Sequence, residues 1–274
     1  MGLSKLPASS TQPWWADYQP LLDQLEGMQS TTCDQLNSLL PERLKTESGQ
    51  PIRFVPSNEL DDGAYEQRIY TTGQVSTRPD NWHDLFNALV WMRFPRIKIA
   101  MNTLHFHSWS EQLTGTRGRV RDALTLFDEC GVIVFSKHLE ILNALAERRW
   151  TDAFLADEFK TGVQLSICGH AMLEKYLAPY KSMTAKALLV HVDSDFLRLT
   201  RQEMLACLDR EISKRILAGT LMTEPACLTP LPLAGVPGWW PEAEQGETAF
   251  YDDPAVFRAP PANLAPVPVL CFPG

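Results

Sequence analysis

Apolar residues recur at helical spacing through 14–45. There Leu21, Leu22 and Leu25 form one group, and Thr32 stands as a candidate N-cap before Leu36, Leu39 and Leu40. A short strand is expected at Ile52–Val55, followed by a turn-rich connection from Asn58 to Gly63 and a second strand at Tyr65–Tyr70. The strongest helical pattern opens at Asn81. Leu85, Leu89 and Met92 mark one apolar face, and Trp82, Phe86 and Val90 an adjoining one, so this helix is expected to be largely buried. Asp80 or Asn81 can cap it by offering a side-chain oxygen to the amides of the first turn. Pro95 cannot continue the ladder and marks a break or kink, after which Ile97, Met101 and Leu104 resume the period.

Further on, weak alternation over Ala123–Phe127, a turn at Asp128-Glu129-Cys130-Gly131 and the β-branched run Val132–Phe135 predict a hairpin over 123–135. Helices are expected at 138–149, 151–159, 167–178 and 195–218, with a short buried strand at Lys186–Val192. Eleven of the 20 prolines lie between Pro225 and Pro273, together with Trp239, Trp240, Phe250, Tyr251, Phe257 and Phe272. A tail with that many aromatics is expected to be extended but packed down by its rings. The pattern thus predicts an α+β fold, mainly helical: one compact domain over 1–220 with a small β-hairpin, and an extended proline-rich C-terminal strap over 221–274.

Composition narrows the class. With 274 residues, 45% of them hydrophobic, the chain is long enough for a substantial core and too apolar for intrinsic disorder. No stretch approaches the ~18 uninterrupted apolar residues of a membrane span. The first six residues lack the apolar segment of a signal peptide, so a soluble, cytoplasmic protein is expected. The six cysteines form no C-x-x-C pair and read as reduced small hydrophobes. Residues 66–215 carry a net charge of +2 and all six histidines, while the flanks carry −10. An acidic wrapper around a near-neutral centre argues against broad nucleic-acid binding, which needs a basic face. A local site for a small anionic ligand or substrate is compatible with it. P-loop, dinucleotide-binding and serine-hydrolase motifs are all absent.

Four constellations could carry chemistry. At the start of the buried helix, His83 and Asn87 are i,i+4 and share a face, with Asn81 and Asp84 nearby. His83 reads as base or metal ligand, Asp84 as its partner, and Asn81 and Asn87 as substrate contacts; a capped helix start explains the same residues structurally. In His105-Phe106-His107 the imidazoles would share a face on a strand and diverge on a helix, with His105 the better candidate ligand. If the run from Arg117 to Asp122 is extended, Arg119 and Arg121 point to one side as an anion clamp and Asp122 joins the apolar face of Leu124 and Leu126 as a candidate catalytic carboxylate. His170 and Glu174, i,i+4 on an expected helix, could hold a divalent metal.

Several runs also resemble a known family. They are Thr77 through Trp91, then Phe94-Pro95 and Lys98, Arg121 through Glu129, Gly169-His170-Ala171 with Glu174, Leu231 through Gly235, Pro237-Gly238-Trp239-Trp240, Phe250-Tyr251-Asp252-Asp253 and Val256-Phe257-Arg258. This sequence resembles an uncharacterised bacterial family, domain of unknown function three-zero-two-five, over roughly residues 15–260. The resemblance implies a soluble bacterial protein and brings no activity with it. On the residues alone, the expectation is a hydrolase-type enzyme, metal-assisted, acting on a phosphorylated or anionic substrate. A non-catalytic small-anion-binding module and a structural scaffold are the alternatives.

Overall fold

The computed structural model describes residues 12–25, 32–41, 43–57, 65–110, 116–245, 247–263 and 267–272. Among the described residues the fold is α+β and mainly helical, about 53% helix and 15% strand. The chain divides into two compact units. Among the described residues, the first comprises Trp15–Thr125 and Leu205–Glu224, and the second Gln12–Trp14, Leu126–Met204 and Pro225 onward.

The first unit contains α1 (Gln19–Leu25), α2 (Cys33–Leu39), β1 (Arg53–Pro56), α3 (Tyr65–Thr72), β2 (Gln74–Thr77), α4 (Trp82–Arg93), α5 (Pro95–Ser110) and most of α6 (Thr116–Cys130). Thr32 caps α2 through a reciprocal box: its hydroxyl accepts from the Gln35 amide at 3.3 Å, and its own amide donates to Gln35 Oε1 at 2.8 Å. Strands β1 and β2 pair in parallel, Arg53 opposite Gln74 and Pro56 opposite Thr77. The segment between them differs from the expected strand at Tyr65–Tyr70. It is helix α3, with Ile69 buried one turn after Tyr65 and Tyr70 stacked on Phe106 at 3.9 Å. The expected connection at 58–63 lies outside the described residues.

Helix α4 buries every residue from Leu85 to Met92. It ends at Phe94, whose amide donates to Val90 O at 2.8 Å, and Pro95 opens α5 at the position where its missing N–H costs nothing.

The predicted hairpin over 123–135 is not present. Its first arm is the end of α6, and only Gly131–Ser136 is strand. Ala123, Leu124 and Phe127 are buried while Arg121, Asp122 and Thr125 are exposed, a helical face rather than an alternating one. Each buried large side chain stabilises the fold by roughly 1.5–3 kcal/mol, enough to override weak local alternation.

The second unit continues with β3 (Gly131–Ser136), α7 (Leu139–Ala146), α8 (Trp150–Phe154), α9 (Asp157–Gly162), β4 (Val163–Ile167), α10 (His170–Lys175) and β5 (Thr184–His191). After them come the first turn of α11 (Arg201–Leu217), then β6 (Thr229–Pro232), α12 (Glu242–Gln245) and β7 (Leu270–Cys271). The expected helix at 167–178 starts only at His170, because Val163–Ile167 pairs as β4. The sheet order is β4-β3-β5-β6, with β7 pairing the far half of β5 beside β6. Strands β3 and β4 are antiparallel, and β3 and β5 parallel. All six residues of β3 are buried, as befits a central strand. Aromatics of the proline-rich segment pack within this unit: Tyr251 and Phe257 lie 6.0 and 6.3 Å from Phe154, and the Trp150 indole donates to Arg258 O at 3.0 Å.

Candidate functional site

Two groups of polar side chains emerge, one in each unit. In the first, Asn81 caps α4 by accepting from the Asp84 amide at 3.0 Å. The Asp84 carboxylate takes the Arg78 amide at 2.6 Å and the Arg78 guanidinium at 3.0 and 2.8 Å, a fork that ties the preceding loop to the helix start. One turn on, Asn87 bridges two partners. Its Oδ1 accepts from Lys98 Nζ at 2.9 Å, and its amide donates to the Tyr65 hydroxyl at 2.9 Å. Lys98 is only 5% exposed, with its ammonium 5.4 Å from the Trp91 ring centre. Asn102, one turn after Lys98 on α5, donates to the Glu66 carboxylate at 2.6 Å and to the Glu66 carbonyl at 2.8 Å. Helical spacing thus puts His83, Asn87 and Trp91 on one stripe of α4, and Lys98, Asn102 and His105 on one stripe of α5. His83 and His105 are half-buried.

The remaining expectations for this unit change with α6. On a helix, Arg119 and Arg121 point about 160° apart, so the shared-face argument for an anion clamp falls. Arg119 meets Glu224 at 3.3 Å in an exposed pair. Asp122 is exposed, and not on the apolar face that made it a candidate. The Arg117 side chain lies outside the described residues. His105 and His107 sit on α5 and diverge. His107 is exposed, edge-on to Tyr70.

In the second unit the site is built from the backbone. Gly131 O accepts the amides of both Cys168 and Gly169, at 3.0 and 2.9 Å. A Cβ on Gly169 would stand 2.3 Å from Gly131 N, and one on Gly131 2.3 Å from Phe127 O. Only glycines allow this approach, and it sets the first residue of α10 against the last turn of α6. His170 is that first residue. Its Nδ1 lies 3.7 Å from Asp128 Oδ2 and its Nε2 3.6 Å from Glu129 Oε2, with the ring 6% exposed. Glu174 lies one turn along α10 on the face that carries His170. Lys175 Nζ approaches Cys130 Sγ at 3.9 Å, and both Lys175 and Lys186 act on that thiol electrostatically. Burial nevertheless outweighs them and pushes the Cys130 thiol up.

A carboxylate at each ring nitrogen is chemically specific. A neutral imidazole has one N–H and one lone pair, so one of the two carboxylates would face a lone pair. A cation can take the lone pair on one side only, because the two ring nitrogens point apart. The 3.6 Å between Nε2 and Glu129 Oε2 exceeds the 2.7–3.2 Å of a hydrogen bond and approaches the roughly 3.3–3.5 Å between ligands in a tetrahedral site with ~2.1 Å bonds, while Asp128 stands on the Nδ1 side. Asp128 and Glu129 escape notice in the sequence because the pattern there reads as a turn. Lys98, Tyr65, Glu66 and Asn102 escaped because a helix this apolar hides its polar partners until the helices pack.

The family described as "Protein of unknown function (DUF3025)" matches residues 52–261, most of the chain, including both polar groups. The chain belongs to this family. DUF3025 carries no assigned activity, so the chemistry rests on the residues described above. No curated protein and no solved structure matches the chain. Among the described residues of this DUF3025 member, no helix is long and apolar enough to cross a membrane.

Proposed function

We propose that the chain is a metal-assisted hydrolase acting on a small phosphorylated or otherwise anionic substrate, with His170 Nε2 and Glu129 holding a divalent cation and Asp128 orienting the ring from the Nδ1 side. The observation that carries this reading is the buried imidazole with a carboxylate at 3.6–3.7 Å from each ring nitrogen. An imidazole nitrogen and a carboxylate are donors suited to zinc or manganese, Glu174 adds a carboxylate on the same helix face, and Asp128 at the other ring nitrogen matches a carboxylate–histidine–metal arrangement. A cation held there would polarise a substrate oxygen and lower the pKa of a bound water. Lys175 and Lys186 supply positive charge beside it for an anionic substrate.

The test is elemental analysis of untagged protein, followed by assay with p-nitrophenyl phosphate and bis-p-nitrophenyl phosphate in added Mn²⁺ or Zn²⁺. Bound metal and hydrolysis that falls at least ~100-fold in His170→Ala would support the reading, as loss of a ligand typically does. Absence of metal uptake, with no cation-dependent turnover, would leave an imidazolium clamped between two carboxylates as a purely structural device.

A further inference from the structure

A separate hollow opens within the second unit, with a volume of about 230 Å³. It is walled by Phe159 and Lys160 of α9, Gln164 of β4, Arg201 of α11 and Trp239 of the proline-rich segment, among others. That volume falls below the ~300–1,000 Å³ of sites for drug-sized molecules, so it suits a small ligand. Its walls hold two cationic side chains, Lys160 and Arg201, and no acidic one. Most of the remaining lining is aliphatic or aromatic.

The hollow is rigidly built. The Arg201 guanidinium donates to Gln164 Oε1 at 2.7 Å and to Leu165 O at 2.6 Å, and lies 5.2 Å from the Phe135 ring centre. It is therefore fixed in position rather than free to swing. The opposite wall, Val236 to Trp239, is pinned by Gln245. That amide donates to the carbonyls of Ala234 and Val236, both at 2.7 Å, while its oxygen accepts from the Gly238 amide at 3.1 Å. Trp239 is further buttressed by Tyr176 and Trp14, at 5.6 and 6.0 Å. Ordering these groups before a ligand arrives removes much of the entropic cost of binding.

We infer that this hollow is a binding site for a small carboxylate with an apolar body, its charge set against Arg201 and Lys160 and its carbon skeleton against Phe159, Val236 and Trp239. A planar carboxylate matches a fixed guanidinium better than a spherical ion does, and the apolar wall favours a ligand with several carbons. The inference stands apart from the His170 proposal and shares no residue with it.

Ligand-observed NMR and tryptophan fluorescence on the full chain test it, with benzoate and hexanoate as probes. Benzamide, hexanamide and acetate serve as matched controls. The acids with apolar bodies are expected to bind saturably and at least about tenfold more tightly than their amides or acetate. Lys160 is exposed, so Lys160→Glu is expected to fold normally and to weaken the acids several-fold while leaving the amides unchanged. Arg201→Gln is expected to lose the preference for acid over amide, with its melting temperature recorded alongside. Equal affinity for acid and amide, indifference to Lys160→Glu, or no saturation by about 10 mM would each overturn the inference.

Discussion

The polar stripe on α4 and α5 and the carboxylate–imidazole group on α6 and α10 solve opposite problems with similar residues. In the first, the buried polar atoms find partners at hydrogen-bond distance: Lys98 to Asn87 at 2.9 Å, Asn87 to Tyr65 at 2.9 Å, Asn102 to Glu66 at 2.6 Å. In the second, the His170 ring nitrogens and two carboxylates stand 3.6–3.7 Å apart on a backbone contact that tolerates no side chain. A network closed at hydrogen-bond length rigidifies the helices that make it. A nitrogen and a carboxylate oxygen at 3.6 Å instead have the spacing of two ligands around one ion. The same chain therefore offers one polar cluster that reads as architecture and one that reads as a site.

The largest effect is expected where the scaffold of the second group is attacked. Gly169→Ala places a methyl 2.3 Å from Gly131 N, a contact with backbone that no rotamer relieves. A loss of about 3 kcal/mol or more is expected in chemical denaturation, and metal uptake should disappear with it. Near-normal stability in this variant would break the idea that the glycine contact builds the site.

Next comes a buried acid of the first unit. Asp209 accepts the Arg96 and Ile97 amides at the start of α5, at 3.1 and 2.8 Å. Burial outweighs those two bonds and the nearby Arg96 charge, raising its pKa from 3.8 to about 6. The folded form thus holds this proton more tightly than the unfolded form. Its contribution to stability is complete below pH 3.8 and is lost as pH rises through about 6. The shift amounts to about 3 kcal/mol, and Asp209→Asn should remove that segment of the pH–stability curve. An unchanged curve in the variant would show the acid to be solvated.

Closing the first group by hydrogen bonds predicts a cost without a functional signature. Lys98→Met leaves Asn87 Oδ1 without its donor and should cost about 1–3 kcal/mol. Its metal content should match that of the parent, and a selective loss of metal or turnover at unchanged stability would recast the stripe as part of the chemistry. The smallest effect is expected from Arg119→Ala, which breaks only an exposed pair with Glu224 and should shift stability by less than about 0.5 kcal/mol.

What could be read in the sequence divides along the same line. Local chemistry was legible: the Thr32 box, the Asn81 cap and Pro95 at the start of α5 all follow from which amides a nearby oxygen can reach or a proline can forgo. The helical pairing of His170 with Glu174 was legible too, since i,i+4 spacing survives any packing. The last turn of α6 was not. A five-residue apolar run reads equally as strand or helix, and burial of Ala123, Leu124 and Phe127 on one face settles it. With that segment taken for a hairpin, Asp128 and Glu129 became turn residues and Asp122 gained a face it does not occupy. The hollow beside Arg201 is beyond sequence reasoning, because Pro13, the continuous α9–β4 stretch, α11 and the 236–239 loop supply its walls from four segments far apart in the chain.

Calorimetric titration of Mn²⁺ and Zn²⁺ into metal-stripped protein probes the carboxylate–imidazole group most directly. The account predicts one saturable ion per chain, a higher melting temperature when loaded, and loss of both in Glu129→Gln and His170→Ala but not in Lys98→Met. Heats indistinguishable from dilution, or equal binding in the Glu129 and His170 variants, would contradict it.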